Sequence, residues 1–267
     1  MDILPNLALR RLQAGQVALG FGAALLRTVA VVPLARAAGF HWLTLDLEHG
    51  VATLAEAAQL CMAASSTGLA PIMRIAPEAW SDGTRLLDNG AQGLLVPDVR
   101  SAAQARRIVE AFRHPPRGQR AWGANLFPFG YRPPPLPEAM RQVDGETLLA
   151  AMIESAEGVA SAAAIAATPG IDVLFVGIAD LSLQLGAPGQ PGDARVQAAV
   201  ERVAAACAAS GKVLGLGGVY DSTWLPHYLQ RGARFIAGGN DQGFVLGAAS
   251  ERAAWLDRLA ADARVVV

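Results

Sequence analysis

The chain has 267 residues, of which 52% are hydrophobic and 17% charged, and its formal net charge is −1 at pH 7. A chain of this size buries roughly three quarters of its unfolded surface in one domain and needs neither disulfides nor a structural metal to fold. The balanced charge excludes the basic stripe with which a nucleic-acid-binding protein neutralises phosphates, and no apolar run reaches the roughly 20 residues that span a bilayer.

Eight short apolar runs predict β-strands, and amphipathic segments separate most of them. In chain order, the predicted strands are residues 17–20, 42–46, 71–74, 93–97, 148–154, 173–177, 213–216 and 235–238. Apolar residues recur at helical spacing in 54–64, 102–112, 156–167, 196–209 and 223–231, and 243–262 predicts a long terminal helix. Strands that alternate with helices pair in parallel, so the sequence predicts one (β/α)8 TIM barrel over residues 1–267, with an open doubly wound sheet as the alternative.

Residues 114–137 interrupt this alternation. The segment contains seven prolines and three glycines, and it is too long for an ordinary connection between a helix and a strand. Its aromatic and polar side chains, among them Arg120, Trp122 and Asn125, indicate an excursion over a site or a subunit contact. A solvated surface loop is the equal alternative.

Polar side chains follow five of the predicted strands at the carboxyl end, which is where a parallel barrel carries its active site. These residues are Asp46, Glu48, His49, Arg74, Glu154, Asp180, Asn240 and Asp241. A random surface would scatter such groups along the chain. Their convergence predicts a site that binds a metal, a carboxylate or a proton.

Each of the main candidates also has a structural alternative. Glu154 or Asp180 could cap the helix that follows its strand, yet two carboxylates completed by water and substrate oxygens are what Mg²⁺ or Mn²⁺ accepts. Arg74 could form a structural salt bridge, but an arginine buried at a strand end needs an anion, which a substrate can supply. His49 suits proton transfer near neutral pH, whereas the three other histidines, His41, His114 and His227, are expected to be structural.

The single lysine and the two cysteines restrict the chemistry further. Lys212 lies at the start of the seventh predicted strand, on the face of the barrel opposite to the site. This position disfavours a lysine Schiff base, so a metal would have to stabilise any carbanion. Cys61 and Cys207 are expected to be buried apolar side chains, and two isolated cysteines without a signal peptide predict a cytoplasmic protein.

The chain resembles the HpcH/HpaI aldolase family over roughly residues 9–259. Seven segments carry this resemblance in order along the chain: Leu45-Asp46-Leu47-Glu48-His49, Met73-Arg74, 86–91, 115–120, Met152-Ile153-Glu154-Ser155, 176–182 and Gly239-Asn240-Asp241. Any one segment is weak evidence, but seven with appropriate spacing are strong. Ile178 stands where many relatives have proline and Ala121 where many have glycine, and both departures bear on the substrate more than on the chemistry.

The resemblance implies a class II, metal-dependent aldolase that cleaves or forms 4-hydroxy-2-oxo acids from a pyruvate enolate and an aldehyde. It implies that Glu154 and Asp180 bind a divalent metal (Mg²⁺, Mn²⁺ or Co²⁺), that Arg74 stabilises the enolate oxygen and that His49 takes part in proton transfer. The remaining implied roles belong to Asp46 and Asp88, which would orient His49, and to Gly177, Ala179 and Asp180, which would hold the pyruvate carboxylate.

The resemblance also implies a homo-oligomer, expected to be a hexamer, in which the C-terminal helix packs on a neighbouring subunit. Two alternatives remain open from the sequence. One is a related lyase or condensing enzyme that acts on oxaloacetate- or citrate-type acids. The other is a non-catalytic barrel, because barrels host many functions.

Overall fold

The computed structural model describes residues 3–123 and 126–264, which form a closed barrel of eight parallel strands in sequential order. The strands are β1 (Ala18–Ala23), β2 (Trp42–Leu45), β3 (Ala70–Arg74), β4 (Gly93–Val96), β5 (Leu148–Ile153), β6 (Val173–Gly177), β7 (Val213–Gly217) and β8 (Ala233–Asn240). Because β8 pairs with β1, the sheet closes without an edge. The predicted (β/α)8 barrel is therefore confirmed, and the open sheet is excluded.

Twelve α-helices lie in the part of the chain that the structure describes. They are α1 (Leu7–Gln13), α2 (Val31–Ala37), α3 (Leu54–Ser66), α4 (Trp80–Asp88), α5 (Ala102–Phe112), α6 (Leu136–Glu146), α7 (Ala156–Ala160), α8 (Ala162–Ala166), α9 (Ile178–Gln184), α10 (Ala194–Ser210), α11 (Trp224–Gln230) and α12 (Asp241–Arg264). The sequence pattern predicted α3, α5, α10, α11 and α12 to within two residues at each end. It gave no bounds for α1, α2, α4, α6 and α9, although a helix starting at Asp180 was expected.

Two of the predicted segments need correction. The helix expected over 156–167 divides at Ser161 into α7 and α8. The segment 114–137 is partly packed rather than wholly solvated, because Phe129 and Arg120 are buried and α6 begins inside it. Of the side chains that drew attention to this segment, Asn125 lies outside the described residues.

Aromatic rings fill the interior of the barrel below the carboxyl ends of the strands. Trp42 stacks on Phe235 with ring centroids 4.2 Å apart, and Phe175 meets Phe235 edge to face at 6.0 Å. Gly20 makes this possible, since a Cβ atom there would lie 2.1 Å from the Trp42 ring. These rings close the barrel from below, so any cavity at the carboxyl ends has an apolar floor.

The terminal helix α12 leaves the barrel with little covering. All side chains described from residue 243 to residue 263 are exposed, including Val245, Leu246, Trp255 and Leu256. A run of exposed apolar side chains on a 24-residue helix is typical of a contact surface. Across the described residues, we find no helix with both the length and the apolar character required to cross a membrane.

Candidate active site

A cavity of about 390 Å³ opens at the carboxyl ends of the strands. Seven of the eight residues that were assigned a role line it: Asp46, His49, Arg74, Glu154, Gly177, Ala179 and Asp180. Asn240, named in the group at the strand ends, lines it as well. The aromatic rings of Trp42 and Phe175 belong to the same lining and form its lower wall. The structure thus brings together side chains from β2, β3, β5 and β6 that are far apart in the sequence.

Glu154 follows β5 directly, and its carboxylate has a defined place. Its Oε1 accepts a hydrogen bond of 2.7 Å from the backbone N–H of Asp98. The following helix, α7, is capped by Ser155, so the capping alternative for Glu154 is excluded. A Cβ atom at Gly177 would lie 2.9 Å from Oε2 of Glu154, and the glycine therefore leaves the room that this carboxylate occupies.

Asp180 lies in the first turn of α9, which follows β6, and β6 is the neighbour of β5, the strand that Glu154 follows. The N-cap of α9 is Gly177 and no side chain caps the helix, so Asp180 does not serve as a cap either. The first N–H groups of a helix have no partner within the helix. The backbone at Ala179 and Asp180 therefore offers donors at the cavity wall, and their binding of the pyruvate carboxylate stays a prediction.

Burial and neighbouring charge make the Glu154 carboxylate costly to ionise. Its pKa rises from 4.5 to about 7, first because burial disfavours the charge and then because Asp180 and Glu48 are near. Burial raises the pKa of Glu48 as well. A site of mutually repelling carboxylates fits a divalent cation, because the positive charge would offset both the cost of burying the carboxylates and their repulsion.

The chain itself would supply few ligands to such a cation. Across residues 3–123 and 126–264, no three or more His, Cys, Asp or Glu side chains are grouped so that they could hold a metal ion. Glu154 and Asp180 would thus be two protein ligands, with water and substrate oxygens as the others. Hard oxygen ligands of this kind suit Mg²⁺ or Mn²⁺.

Arg74 combines the two roles that the sequence left as alternatives. Its Nε donates to Oδ1 of Asp46 at 2.8 Å, its Nη2 bonds Oδ2, and its Nη1 lies 3.4 Å from Oε2 of Glu48. Burial alone would raise the pKa of Asp46, but hydrogen bonds from Arg74 and from the backbone N–H groups of His49 and Glu48 lower it. Arg74 is thus held in a salt bridge and lines the cavity at once.

The described contacts do not join the His49 ring to Asp46 or Asp88. The His49 side chain is 67% exposed, and its Nε2 lies 3.8 Å from Oε2 of Glu48. Asp46 contacts His49 through the backbone N–H rather than the ring. Asp88 is not among the cavity-lining residues described, and its Oδ1 accepts a 2.6 Å hydrogen bond from Arg120. Orientation of His49 by Asp46 and Asp88 stays a prediction.

Two further acidic residues near the site make contacts that the sequence analysis did not predict: Asp98, which it did not name, and Asp241, which it named only as one of the strand-end group. Asp98 follows β4 and holds Glu154 through its backbone, and its place after a strand end was a usable signal. Asp241 is buried, and its carboxylate accepts backbone N–H groups of Ala24, Leu25 and Leu26 at 2.6 to 3.1 Å. It fixes the segment after β1 at the mouth of the cavity, a contact across more than 200 residues that no local pattern announces.

The residues assigned to structural roles behave as expected. Lys212 precedes β7, and its Nζ donates to the backbone oxygen of Ile171, which precedes β6, so it lies at the amino end of the barrel. Burial raises the pKa of both cysteine thiols, that of Cys207 to about 12. His114 is buried against Asp144 at 2.8 Å.

Comparison with known sequences points to one family. The model of the family described as HpcH/HpaI aldolase/citrate lyase matches residues 25–248. A 4-hydroxy-4-methyl-2-oxoglutarate aldolase from Hapsidospora irregularis is 38% identical over 239 residues, which cover 86% of this chain and 87% of the relative. A hydroxypyruvate/pyruvate aldolase from Pseudomonas aeruginosa is 36% identical over 246 residues, which cover 92% and 91%.

Solved structures agree with this result. An HpcH/HpaI aldolase from Desulfitobacterium hafniense superposes with a TM-score of 0.87 at 27% identity, covering 93% of this chain and 95% of that one. The citrate synthase SbnG gives a TM-score of 0.84 at 27% identity, covering 94% and 97%. The resemblance noted in the sequence is confirmed, and this barrel is a member of the HpcH/HpaI aldolase/citrate lyase family.

Proposed function

We propose that the protein is a divalent-metal-dependent aldolase that cleaves or forms 4-hydroxy-2-oxo acids, with pyruvate and an aldehyde as the other partners. One observation carries the proposal: Glu154 and Asp180 line one cavity beside Arg74, at the end of the barrel opposite to Lys212. Two relatives named above carry the names 4-hydroxy-4-methyl-2-oxoglutarate aldolase and hydroxypyruvate/pyruvate aldolase, and another, from Novosphingobium aromaticivorans, is a 4-hydroxy-2-oxovalerate aldolase with 36% identity.

Glu154 and Asp180 would hold the metal, for which Mg²⁺, Mn²⁺ and Co²⁺ are the candidates. When bound, a divalent cation supplies Lewis-acid stabilisation to the keto oxygen of the 2-oxo acid. The raised pKa of Glu154 supports this role, because a buried carboxylate that repels its neighbours gains most from a cation. The side chains around the metal would stabilise the enolate and transfer the proton.

Arg74 would stabilise negative charge on the enolate oxygen. A guanidinium has five N–H donors, and Asp46 engages two of the nitrogens that carry them. The donors that remain can reach a substrate, and the fork to Asp46 holds the group in place. The backbone N–H groups of Ala179 and Asp180, beside Gly177, would bind the pyruvate carboxylate.

In the cleavage direction, the proton of the 4-hydroxyl passes to the imidazole of His49 as base. The C3–C4 bond then breaks, and its electron pair stays with C3 as the pyruvate enolate. C4 leaves as the aldehyde carbon, and C3 takes up a proton to give pyruvate. The exposure of His49 lets its ring return the proton to solvent.

The test is exchange of the pyruvate methyl protons with deuterated solvent, followed by NMR without any aldehyde. We expect exchange in the presence of Mn²⁺ or Mg²⁺ and its loss after EDTA treatment and dialysis. Full exchange in the metal-stripped protein contradicts the proposed metal dependence. Because SbnG is a citrate synthase, condensation of an acetyl donor with oxaloacetate, without use of aldehydes, would favour the condensing alternative.

The same proposal includes assembly and location. We infer a homo-oligomer, a hexamer by the family resemblance, in which the exposed apolar side chains of α12 pack on a neighbouring subunit. Light scattering on the purified protein measures the mass directly. Truncation before Trp255 should reduce the assembly, because it removes much of this surface. A cytoplasmic location is proposed from the two buried, unpaired cysteines.

A further inference from the structure

The cavity has a second half, which faces Glu154 and Asp180 across the barrel. In a closed barrel of eight strands in sequential order, β1 lies opposite β5. Gly22 on β1 pairs in register with Thr44 on β2 and with Asn240 on β8. These three residues therefore lie side by side, away from the two carboxylates, and all of them line the cavity.

This half of the cavity is lined by small residues. Ala23, Ala24 and Ala237 accompany Gly22, and the Trp42 ring lies below them. A Cβ atom at Gly22 would lie 3.0 Å from Cβ of Asn240, so the position favours glycine and leaves its space open. The room suits a molecule of a few non-hydrogen atoms.

The charges of the lining disfavour an anion in this half. Among the described lining residues, Arg74 is the one arginine or lysine, and Asp46 and Glu48 already hold its guanidinium. Asp46, Glu154 and Asp180 place three carboxylates in the same lining. In the proposed reaction, the remaining donors of Arg74 serve the enolate oxygen, and the two charges of a metal on Glu154 and Asp180 are offset by those two carboxylates. A carboxylate bound near Gly22 would therefore lose water without gaining an uncommitted cation, which costs more than a hydrogen bond returns.

Thr44 supplies a polar group that the protein leaves unused. Its Oγ1 is buried without a hydrogen-bond partner. The described residues contain five such side-chain atoms, and Thr44 is the one residue among their owners that lines this cavity. The rest of the side chain is partly exposed. Rotation about χ1 exchanges the methyl and hydroxyl positions of a threonine, so the hydroxyl can turn to a ligand. A ligand oxygen would then satisfy a group that is costly to leave unpaired.

We propose that this half of the cavity, lined by Gly22, Thr44 and Asn240, is the acceptor subsite. It takes a short, uncharged aldehyde that carries a hydroxyl group, and Thr44 hydrogen-bonds that hydroxyl. The inference rests on the proposed aldolase function and names the acceptor class that this function leaves open.

The first experiment compares two acceptors of matched size with the Mn²⁺-loaded wild-type enzyme and pyruvate. D-Glyceraldehyde carries a hydroxymethyl group at the position where tartronate semialdehyde carries a carboxylate. We expect kcat/KM for glyceraldehyde to be at least about tenfold higher, because the anion finds no free cation. Equal or higher kcat/KM for tartronate semialdehyde overturns the proposal of an uncharged acceptor.

The second experiment tests Thr44 with a pair of variants. Thr44→Val keeps the shape and removes the hydroxyl, whereas Thr44→Ser keeps a hydroxyl. We expect the ratio of kcat/KM for glyceraldehyde to that for propanal to fall about tenfold in Thr44→Val and to recover in Thr44→Ser. A ratio that stays the same in Thr44→Val, or falls equally in both variants, overturns the role of Thr44.

Pyruvate proton exchange in the same wild-type sample separates the two proposals. Exchange together with a preference for tartronate semialdehyde removes the acceptor inference and leaves the aldolase proposal standing. Absence of both exchange and aldehyde consumption removes the aldolase proposal, and the acceptor inference with it.

Discussion

Arg74 and Asp46 form a forked ion pair that joins the end of β3 to the residue after β2, and both side chains line the cavity. The carboxylate also accepts the backbone N–H groups of Glu48 and His49. One aspartate thereby sets the direction of the arginine and the course of the chain that carries the proposed base. Four predictions follow from this arrangement and its neighbours.

Asp46→Asn should lower kcat by about ten- to a hundredfold, since the amide offers one acceptor in place of two and frees the guanidinium. KM for pyruvate should change less, because the backbone donors at Ala179 and Asp180 are untouched. Steady-state kinetics with glyceraldehyde and pyruvate measures both constants. Glu138→Gln, which breaks the exposed pair with Arg141, is the control and should leave kcat unchanged. Unaltered turnover in Asp46→Asn would remove the positioning role.

Glu154→Gln should weaken Mn²⁺ binding by at least about a hundredfold, because an amide oxygen replaces a charged ligand in a two-carboxylate site. Titration calorimetry or the EPR signal of free Mn²⁺ measures the dissociation constant. Glu157→Gln is a matched control three residues away, where the carboxylate is exposed and pairs with Arg100. Equal Mn²⁺ affinity in the Glu154 and Glu157 variants contradicts the ligand assignment.

The thermal stabilisation by Mn²⁺ should grow as the pH rises from 5.5 to 8. In the metal-free protein, the pKa of Glu154 lies at about 7, above its usual 4.5. The folded state therefore binds more protons than the unfolded state between these values, and the contribution of this group to stability is lost as the pH rises through 7. Because a metal binds the ionised form of Glu154, the gain in Tm caused by Mn²⁺ should increase over this same pH range.

Differential scanning fluorimetry with and without Mn²⁺ at each pH measures this gain. Glu154→Gln should flatten the dependence, because the titrating group is gone. A gain in Tm that is equal at pH 5.5 and pH 8 would contradict the link between this carboxyl group and the metal.

Asp241→Ala should destabilise the protein by about 3 kcal/mol, because three backbone N–H groups of the segment after β1 lose their buried acceptor. Urea unfolding followed by circular dichroism measures the loss. Asp221→Ala is the comparison, since Asp221 accepts N–H groups of Thr223 and Trp224 at an exposed helix start. That change should cost about 1 kcal/mol. Similar losses in the two variants would show that burial of Asp241 adds nothing.

Particular elements show why some features were predictable and others were not. β6 was predicted with both ends correct, because an apolar run of five residues between two helical segments is too short for a buried helix and fits a buried strand. β8 was predicted four residues too short, two at its start and two at its glycine-rich end, where the pattern fades. Five helices were left without bounds, and length alone does not explain this, since α11, with seven residues, was predicted.

The candidate site also contains residues whose place was predictable and one whose place was not. The grouping of Glu154, Asp180, Arg74 and His49 followed from strand-end position, since parallel strands bring their carboxyl ends to one face. Asp88 was expected to orient His49, and in the structure its carboxylate pairs with Arg120. Helix-end position gives no comparable rule, because it says nothing about which neighbour a side chain meets.

The sequence by itself determined the alternation of strands and helices, the family and the set of charged residues at the carboxyl face, because each depends on order and spacing along the chain. Only the tertiary structure decided which side chains share a wall of the cavity. Strand register places Gly22, Thr44 and Asn240 side by side although more than 20 and nearly 200 residues separate them. It also places Asp241 beneath the segment after β1. Closure of the barrel, which joins β8 to β1, is the physical reason, since no local pattern encodes the contact between the two ends of the sheet.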